Sequence, residues 1–286
     1  MNQIIEKISW FPFKLIEKIK QNKKNFIDLK LKKTGINRKF RFYVSKNDEG
    51  LSSQLKAFGF REPVNIEYYY KFIDSSDIVL DIGANIGFFT ILSENAKKII
   101  CVEPLKQAIP LLKKNIKANN LENKTKVVNA AVGEKGKLII EVDKKLNLSR
   151  IVRKKNKNTY EIESFDLKSL VKKYKSNMLR LDVEGYEYEI LCKKIPKEIK
   201  KISIEFHTEL LGKRKVKELF DYFEKEGFKV KYFIEDLPIR LYPFHNFLKK
   251  INLIKRFTYV KRNLTLKEGF SYVNKGRTVK YLFLER

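Results

Sequence analysis

The sequence predicts an α/β fold built on a doubly wound, mostly parallel sheet. From residue 77 onward, short apolar runs alternate with stretches of helical periodicity, which is the rhythm of repeated strand–helix units. One apolar run, residues 78–80, ends at Asp81 and is followed by a loop of small residues and a helical pattern that begins near Gly87. A chain of 286 residues with 43% hydrophobic residues can form one globular domain with extensions.

The predicted elements follow one another along the chain with two interruptions. Residues 1–60 form a basic N-terminal arm, predicted to be helical in part, and a lead-in to the main domain, residues 61–286. A hairpin insertion is predicted at residues 134–165, and a basic insertion at residues 237–275 precedes the last strand. The predicted strands are 40–44, 78–81, 98–102, 126–130, 177–185 with its turn, 201–207, 228–234 and 279–284, and the predicted helices are 65–73, 105–119, 166–174, 186–194 and 216–226.

The turn after residues 78–81 indicates a ligand site. Gly83 and Gly87 allow a sharp turn and a close approach of the backbone to a ligand, because glycine has no Cβ atom. Asp81 places a carboxylate at the carboxyl end of a strand, where open α/β sheets bind nucleotide-like cofactors. That charge would repel a diphosphate and attract an amino group or a sulfonium. The alternative is an ordinary strand–helix turn without a ligand.

A second acidic strand end narrows the choice of cofactor. Glu103 follows the glycine turn by roughly 20 residues, the separation at which an acidic side chain binds the ribose hydroxyls of adenosine. A dinucleotide fingerprint would have glycines where this chain has Asn85 and Phe88. These features favour S-adenosylmethionine over NAD. The small-residue end of the third strand, at Ala130, is expected beside the adenine ring.

Four polar residues are predicted to converge beside the cofactor, where a hydroxyl acceptor would bind. Asp182 and Glu184 are two residues apart at the end of the fourth strand, and Glu205 and His207 have the same relation at the end of the fifth. Side chains two apart in an extended segment point to one face, and neighbouring strand ends flank the ligand crevice. A carboxylate or His207 can serve as general base for a hydroxyl acceptor. Alternatively, Asp182, Glu205 and His207 can bind a hard divalent cation such as Mg²⁺, which would acidify that hydroxyl. A third interpretation is that His207 is simply a hydrogen-bonded residue at a strand end.

Two further charged pairs have structural interpretations. Glu187 and Glu189 begin a predicted helix, and we interpret them as a solvated helix start that the helix dipole favours. Arg61 and Glu62 can either reach the mouth of the active site or brace the helix at residues 65–73. Bracing is the favoured interpretation.

The charge of the chain indicates an anionic partner. Its 62 Lys and Arg residues against 34 Asp and Glu give a formal net charge of +28, which suits nucleic acid, an anionic membrane surface or a phosphorylated substrate. A lysine-rich coding bias is the alternative, but basic residues cluster with apolar residues at helical spacing in residues 2–40 and 237–275. Such segments predict peripheral binding to an anionic membrane, although residues 2–40 can equally form a helix packed on the domain. Cys101 and Cys192 lack the spacing of a disulfide framework or metal site, which favours a reducing cytoplasm.

Four segments in chain order resemble one protein family. VLDIGANIGFFT from Val79, CVEP from Cys101, NAAVG from Asn129 and LRLDVEGYEYEIL from Leu179 look like the motifs of the FkbM family of S-adenosylmethionine-dependent methyltransferases. The resemblance covers about residues 60–207. It implies a class I methyltransferase fold with a seven-strand sheet. It also implies O-methylation, often of sugars in glycans, glycolipids or secondary metabolites.

The resemblance also implies roles for single residues. Arg180 stands where the family commonly has lysine, so the positive charge is kept but a role for a lysine amine is not. The positions that match the cofactor motifs are Asp81, Gly83, Asn85, Gly87 and Glu103, and those that match the DxEGxE motif are Asp182, Glu184 and Glu187.

The combined prediction is an S-adenosylmethionine-dependent O-methyltransferase that acts on a hydroxyl, with a sugar of a lipid-linked or other glycan as the favoured acceptor. Its expected location is the cytoplasm, at the inner face of the membrane. One alternative is an RNA methyltransferase, which the charge suggests. Base amino-methyltransferases usually carry an Asn/Asp-Pro-Pro-aromatic turn where this chain has residues 182–185, and this argues against that alternative. Another is a non-catalytic basic binding protein on a methyltransferase fold.

Overall fold

The computed structural model describes residues 25–31, 37–192, 195–250, 258–274 and 280–286. The strands are β1 Phe26–Leu31, β2 Arg38–Tyr43, β3 Ile78–Ile82, β4 Lys98–Val102, β5 Thr125–Val128, β6 Ala131–Val132, β7 Gly136–Glu141, β8 Arg150–Val152, β9 Thr159–Phe165, β10 Met178–Leu181, β11 Lys201–Phe206, β12 Lys229–Glu235, β13 Tyr259–Leu264 and β14 Lys280–Glu285. The α-helices are α1 Leu51–Phe58, α2 Asn65–Phe72, α3 Phe88–Leu92, α4 Ile109–Ala118, α5 Leu167–Tyr174, α6 Glu187–Leu191, α7 Thr208–Lys225, α8 His245–Lys250 and α9 Leu266–Val273.

The main sheet has eight strands in the order β13-β12-β14-β11-β10-β3-β4-β5. Strands β5, β4, β3, β10 and β11 are parallel, whereas β14 is antiparallel to both of its neighbours and β13 is antiparallel to β12. The chain winds outward from β3 through β4 and β5, and in the opposite direction from β10 to β11. The switch point of the sheet, where ligands bind outside the carboxyl ends of the strands, therefore lies between β3 and β10.

Apolar clusters cover both faces of this sheet. On β3, Val79 packs into one cluster, whereas Leu80 and Ile82 pack into the other, because successive strand side chains point to opposite faces. Helices α1 to α4 contribute to the first cluster, and α5, α6, α7 and α9 contribute to the second. The sheet is therefore doubly wound, as the sequence predicts.

The edge of the sheet corrects the prediction of seven strands. The predicted basic insertion, residues 237–275, includes β13. This strand pairs with β12 and becomes the eighth strand of the main sheet. The same segment includes α9, which packs on α7, with the rings of Phe270 and Phe220 at 5.5 Å between centroids. The capping box between Thr265 and Glu268 fixes the start of α9. Among the described residues of this segment, Lys250, Lys261 and Lys267 lie on α8, β13 and α9, which belong to the domain.

The insertion at residues 134–165 contains the predicted hairpin. Strands β7 and β9 are antiparallel, β8 extends the edge, and β6 pairs with β9 in parallel. Ile140 and Ile162 pack with Leu105 and Ala131 into a small core of their own. This core holds the loop between β7 and β8 over the carboxyl ends of the main sheet.

The predicted N-terminal arm is described only in part. Residues 1–24 lie outside the described residues, as do residues 251–257 of the basic insertion. Strands β1 and β2 form a hairpin that is fastened to α4, where Asn115 Oδ1 accepts a hydrogen bond from the Tyr43 N–H at 2.6 Å. Among the described helices, none combines the length and the apolar character that crossing a membrane requires.

The first testable prediction concerns the close approach of the turn after β3 to the end of β10. Gly83 has a φ of +82°, and a Cβ atom there would lie 1.9 Å from the carbonyl oxygen of Asp182. Alanine would strain both the backbone and this contact, so Gly83→Ala should lower the free energy of unfolding by more than about 2 kcal/mol. Urea denaturation followed by circular dichroism measures the change.

Gly227→Ala is the matched control for this variant. Gly227 has a φ of +78°, but no atom lies within 4 Å of the position that its Cβ would take. It should lose only the backbone term, about 1 kcal/mol. Equal losses in the two variants would show that the contact with Asp182 is not a constraint.

Candidate active site

The switch point of the sheet opens into a first cleft, which we call the cofactor cleft. Its volume is about 620 Å³, including space that is open to solvent. Gly83 and Asn85 line it from the turn after β3, Glu103 from the end of β4, and Ala130 from the segment after β5. These four predicted cofactor-binding residues are therefore brought together, and Leu146 of the insertion covers them.

Glu103 is held firmly at the floor of the cofactor cleft. Its Oε2 accepts a hydrogen bond from the Asn85 N–H at 2.6 Å, and its Oε1 accepts one from the Leu105 N–H at 2.7 Å. Burial raises the pKa of Glu103 to about 7, although these two bonds act in the opposite direction. Each carboxylate oxygen keeps a further lone pair, so the group can also accept the two hydroxyls of a ribose. An adenosine moiety therefore fits the residues present.

Two other predicted cofactor residues, Asp81 and Gly87, do not line the cofactor cleft. Asp81 is fully buried, and its Oδ2 accepts a hydrogen bond from Thr90 Oγ1 at 2.6 Å. Burial raises the pKa of Asp81, and the charge of Arg180 opposes this rise. Gly87 precedes α3, where it packs against Leu112. Both residues position the turn that carries Gly83 and Asn85.

Arg180 joins the turns after β3 and β10, a role that the sequence analysis missed. Its Nη2 donates to Asp182 Oδ2 at 2.7 Å, its Nη1 donates to the Gly83 carbonyl at 3.1 Å, and its guanidinium carbon lies 4.2 Å from the centre of the Phe89 ring. Burial alone would lower the pKa of Arg180, but the charges of Asp182 and Asp81 raise it. An arginine in the otherwise apolar strand β10 was the available signal, because a buried charge needs partners.

A second cleft, which we call the acceptor cleft, lies beside the first. It has a volume of about 940 Å³ and is also partly open to solvent. Glu184 and Asn147 line both clefts and therefore mark their junction. Glu184 adopts a φ of +49°, a strained conformation of the kind that clusters at functional sites. The other residues of the acceptor cleft are Gln54, Arg61, Glu62, Leu148, Glu205, His207, Asp236, Leu237, Pro238, Tyr242 and Tyr281.

His207 stands at the centre of a buried group of carboxylates. Its Nδ1 lies 2.7 Å from Glu187 Oε1, and its Nε2 lies 3.3 Å from Glu184 Oε2 and 3.5 Å from Glu205 Oε1. Burial alone would lower the pKa of His207, but the hydrogen bond to Glu187 and the charges of Glu205 and Glu184 raise it well above its usual value. Burial raises the pKa of Glu184 to about 7, and the His207 charge opposes this rise. The Glu184 carboxyl can therefore exchange a proton near neutral pH.

The structure also brings together the three residues predicted to bind a metal. Asp182, Glu205 and His207 each offer one ligand atom, and these atoms lie within 4.8 Å of one another. Asp182 lines the cofactor cleft, whereas Glu205 and His207 line the acceptor cleft. The predicted catalytic set, Asp182, Glu184 and His207, occupies the same junction.

Glu187 corrects the prediction of a solvated helix start. It is fully buried, and besides His207 its Oε1 accepts a hydrogen bond from the Gly185 N–H at 3.2 Å. Glu189 points elsewhere and pairs with Lys215 on α7 at 2.5 Å. Glu187 is buried because α7 begins immediately after His207, so the imidazole lies directly against the first turn of α6.

The positions of Arg61 and Glu62 agree with both interpretations of the sequence: the pair braces the helix α2 and also reaches the candidate active site. Arg61 donates to the Glu62 carboxylate and, through Nη1, to Gln54 Oε1 at 2.9 Å. Glu62 Oε2 accepts a hydrogen bond from Asn65 Nδ2 at 2.9 Å, which braces the start of α2. Both side chains also line the acceptor cleft. The brace therefore forms one wall of the candidate site.

The second testable prediction uses the raised pKa of Glu103. Below about pH 7 the carboxyl is protonated and loses an acceptor, so affinity for S-adenosylmethionine should rise as the pH increases from 6 to 8. Glu103→Gln should weaken binding by roughly 10- to 100-fold, the equivalent of charge-assisted hydrogen bonds, and should lose this rise. Isothermal titration calorimetry at several pH values measures both effects.

The exposed Glu122→Gln variant is the control, because it makes the same chemical change away from the cleft. Asp81 and Asp182 also carry charge near Glu103. If the rise in affinity persists in Glu103→Gln, one of these groups causes it and the assignment to Glu103 fails.

Distant structural similarities exist to two solved methyltransferases. Methanocaldococcus jannaschii Trm5 in complex with adenosine matches 96% of this chain and 66% of its own, with 16% identity and a TM-score of 0.45. Precorrin-6y C5,15-methyltransferase from Geobacter metallireducens GS-15 matches 86% of this chain and 93% of its own, with 10% identity and a TM-score of 0.42. Similarities at this level carry no information about the acceptor.

Sequence comparisons identify the family. A segment of 54 residues is 48% identical to tRNA (guanine(37)-N(1))-methyltransferase Trm5b from Methanocaldococcus jannaschii, but it spans only 19% of this chain and 16% of that protein. The methyltransferase FkbM domain matches residues 81–230, which is more than half of the chain. This match includes the cofactor cleft and the buried carboxylates around His207. The chain therefore belongs to the FkbM family of methyltransferases.

Proposed function

We propose that this methyltransferase transfers a methyl group from S-adenosylmethionine to a hydroxyl of a polar acceptor, with a sugar as the favoured class. The observation that carries the proposal is the position of Glu184, a carboxylate that lines both clefts at their junction. A methyl donor in one cleft and a hydroxyl in the other would meet beside this side chain. Methyl transfer needs mainly positioning and a group that accepts the proton.

Glu184 has the location of a general base. S-adenosylmethionine supplies an electrophilic methyl group bound to a sulfonium. In a transfer to the acceptor oxygen, which would break the sulfur–carbon bond of the cofactor, Glu184 would take the hydroxyl proton. His207 contacts Glu187 through Nδ1 and Glu184 through Nε2, and the imidazole thereby positions both carboxylates. Asp182 lies between this group and Arg180, so it fixes the position of the turn that carries Glu184.

Polar side chains around the acceptor cleft support a sugar. Gln54, Asn147, Glu62 and Asp236 provide amide and carboxylate groups, which can form hydrogen bonds with several hydroxyls at once. Tyr281 adds an aromatic ring to the same wall. A phosphate inside this cleft would be repelled by the carboxylates. The acceptor group therefore fits best when it is uncharged and rich in hydroxyls.

RNA is the second candidate acceptor. The 54-residue similarity to a tRNA methyltransferase and the net charge of +28 both favour it, and the sequence comparison supports RNA more directly than a sugar. In that case Glu184 would take a proton from a base nitrogen or a ribose hydroxyl that enters the acceptor cleft. A non-catalytic binding role has less support, because both clefts and the cofactor residues are intact.

Peripheral binding to an anionic membrane stays a proposal, together with a location at its cytoplasmic side. Two aromatic side chains of the basic insertion are exposed: Phe244, and Phe247 with 60% of its surface accessible, and Lys250 beside them is exposed as well. Aromatic and basic side chains on one short segment suit a lipid headgroup region. Lipid-linked sugars would be presented at that surface.

The third testable prediction concerns Glu184. Glu184→Gln should retain S-adenosylmethionine binding within about threefold and lose about 100-fold or more in turnover, because general base catalysis typically contributes 10²–10⁴-fold. Transfer of labelled methyl groups into lipid-linked glycans, glycoproteins, RNA and small metabolites identifies the acceptor. The exposed Glu209→Gln variant, two residues after His207, is the control and should behave as wild type.

The outcomes of this experiment separate the candidates. Label in a carbohydrate fraction supports hydroxyl methylation, whereas label in RNA alone rejects the sugar and favours the second candidate. Full turnover by Glu184→Gln on any acceptor would reject Glu184 as the base. S-adenosylmethionine binding without transfer to any fraction would favour a binding role.

The fourth testable prediction concerns the membrane. The wild-type protein should sediment with vesicles that contain anionic lipid and should detach as salt rises, since each basic residue near such a surface contributes about 1 kcal/mol that salt screens. A Phe247→Asp, Lys250→Glu double variant should bind these vesicles at least tenfold more weakly and keep its affinity for S-adenosylmethionine. Lys154→Glu at the exposed hairpin tip is the control. Equal binding to neutral and anionic vesicles would contradict the proposal.

A further inference from the structure

The junction of the two clefts gathers four carboxylates in one buried place. Asp182, Glu184, Glu187 and Glu205 surround one imidazole, and each of the four has a relative exposure that is low or intermediate. Arg180 and Arg61 contribute positive charge near Asp182. Carboxylates this close in a buried site repel one another, so such a group normally requires additional positive charge.

One carboxylate in this group has an oxygen without a partner. Glu205 is 5% exposed and lines the acceptor cleft, and its Oε2 is buried and accepts no hydrogen bond in the described part of the chain. For its Oε1, the contact seen among the described residues is the long one of 3.5 Å with His207 Nε2. A buried carboxylate oxygen without a hydrogen bond loses its hydration and gains nothing in exchange, which indicates that a ligand binds it.

His207 has the orientation of a metal ligand. Its Nδ1 is held by the Glu187 carboxylate at 2.7 Å, while its Nε2 points to the side where Glu205 and Glu184 lie. A carboxylate on one ring nitrogen is the usual support for a histidine whose other nitrogen binds a metal, because it fixes the ring and its tautomer. Glu187 itself is fixed by the Gly185 N–H.

We propose that Asp182, Glu205 and His207 bind one divalent cation of the Mn²⁺ or Mg²⁺ type. Their ligand atoms lie within 4.8 Å of one another, so a single ion can reach all three with small adjustments. Two carboxylates and one imidazole form an oxygen-rich set that suits hard cations, and the nitrogen ligand favours Mn²⁺ over Ca²⁺. The ion would add positive charge among these carboxylates, and it would give Glu205 Oε2 a partner.

The location of this cation gives it a use in the proposed reaction. Asp182 faces the cofactor cleft and the other two ligands face the acceptor cleft, so the ion would lie where donor and acceptor meet. Three protein ligands leave coordination positions for water or for an acceptor hydroxyl, whose proton the ion would make more acidic. This use rests on the proposed function, whereas binding of the ion does not.

Direct titration of Mn²⁺ tests the site without any acceptor. We expect the metal-free full-length protein to bind one Mn²⁺, seen as loss of the electron paramagnetic resonance signal of free Mn²⁺, and Mg²⁺ to compete for the same site. Glu205→Gln and Asp182→Asn should each weaken Mn²⁺ binding by at least tenfold. The exposed Glu209→Gln variant makes the same change near the site and should bind as wild type. Circular dichroism confirms that all four proteins are folded.

The possible results are distinct. No binding at millimolar Mn²⁺, or binding that Glu205→Gln and Asp182→Asn leave unchanged, overturns the metal site. Mn²⁺ binding that both variants weaken supports it, even when no methyl transfer to a hydroxyl is found, and in that case only the proposed function fails. Methyl transfer at an undiminished rate after removal of metal would leave hydroxyl methylation standing and would exclude the catalytic use of the ion.

Discussion

The buried guanidinium of Arg180 is the constraint on which the candidate active site depends. It contacts the Gly83 carbonyl, the Asp182 carboxylate and, at 3.5 Å, the Asp81 carboxylate, so it connects the ends of β3 and β10 across the switch point of the sheet. Removing one member of such a buried group leaves the others uncompensated, which typically costs about 3–5 kcal/mol. The geometry of both clefts depends on this connection. Arg180 binds the Gly83 carbonyl directly, and it also binds Asp182, which lies two residues before Glu184.

Burial of the carboxylates around His207 destabilises the protein locally, and the rest of the fold must compensate for this cost. Glu187 and Glu205 are almost completely removed from water, and both retain an oxygen that no described residue satisfies. The two apolar clusters that cover the main sheet stabilise the fold by hydrophobic burial, and this stabilisation offsets the cost of the buried carboxylates. Sites of this kind break the local rules of folding and mark function. The strained backbone of Glu184 at the same place agrees with this view.

Much of the fold could be predicted from the sequence because the central strands are apolar and their ends are marked by acids and glycines. Strand β4 has its predicted bounds, and the residues of both predicted sites converge at the switch point. Strand β13 was missed because Lys261 and Arg262 give it the composition of a basic surface segment, and its pairing with β12 is a tertiary contact. The burial of Glu187 could not be predicted either, since it depends on where His207 lies at the start of α7. Periodicity describes one element at a time, whereas these features arise between elements.

The net charge of the chain and the side chains of the acceptor cleft differ in sign, and this contrast bears on the proposed acceptor. A net charge of +28 attracts polyanions to the protein, whether the phosphates belong to RNA or to lipid. The acceptor cleft, in contrast, is lined by four carboxylate side chains, Glu62, Glu184, Glu205 and Asp236, which outnumber its two basic groups, Arg61 and His207. The charges therefore suit an acceptor with two parts: an anionic part that stays on the surface, and a neutral hydroxyl-bearing or base-like part that enters the cleft. A glycan linked to lipid through phosphate and an RNA nucleotide turned away from its backbone both meet this requirement. Under the proposed function, the surface charge would attract either acceptor, and the atoms at the junction of the clefts would select the group that is methylated.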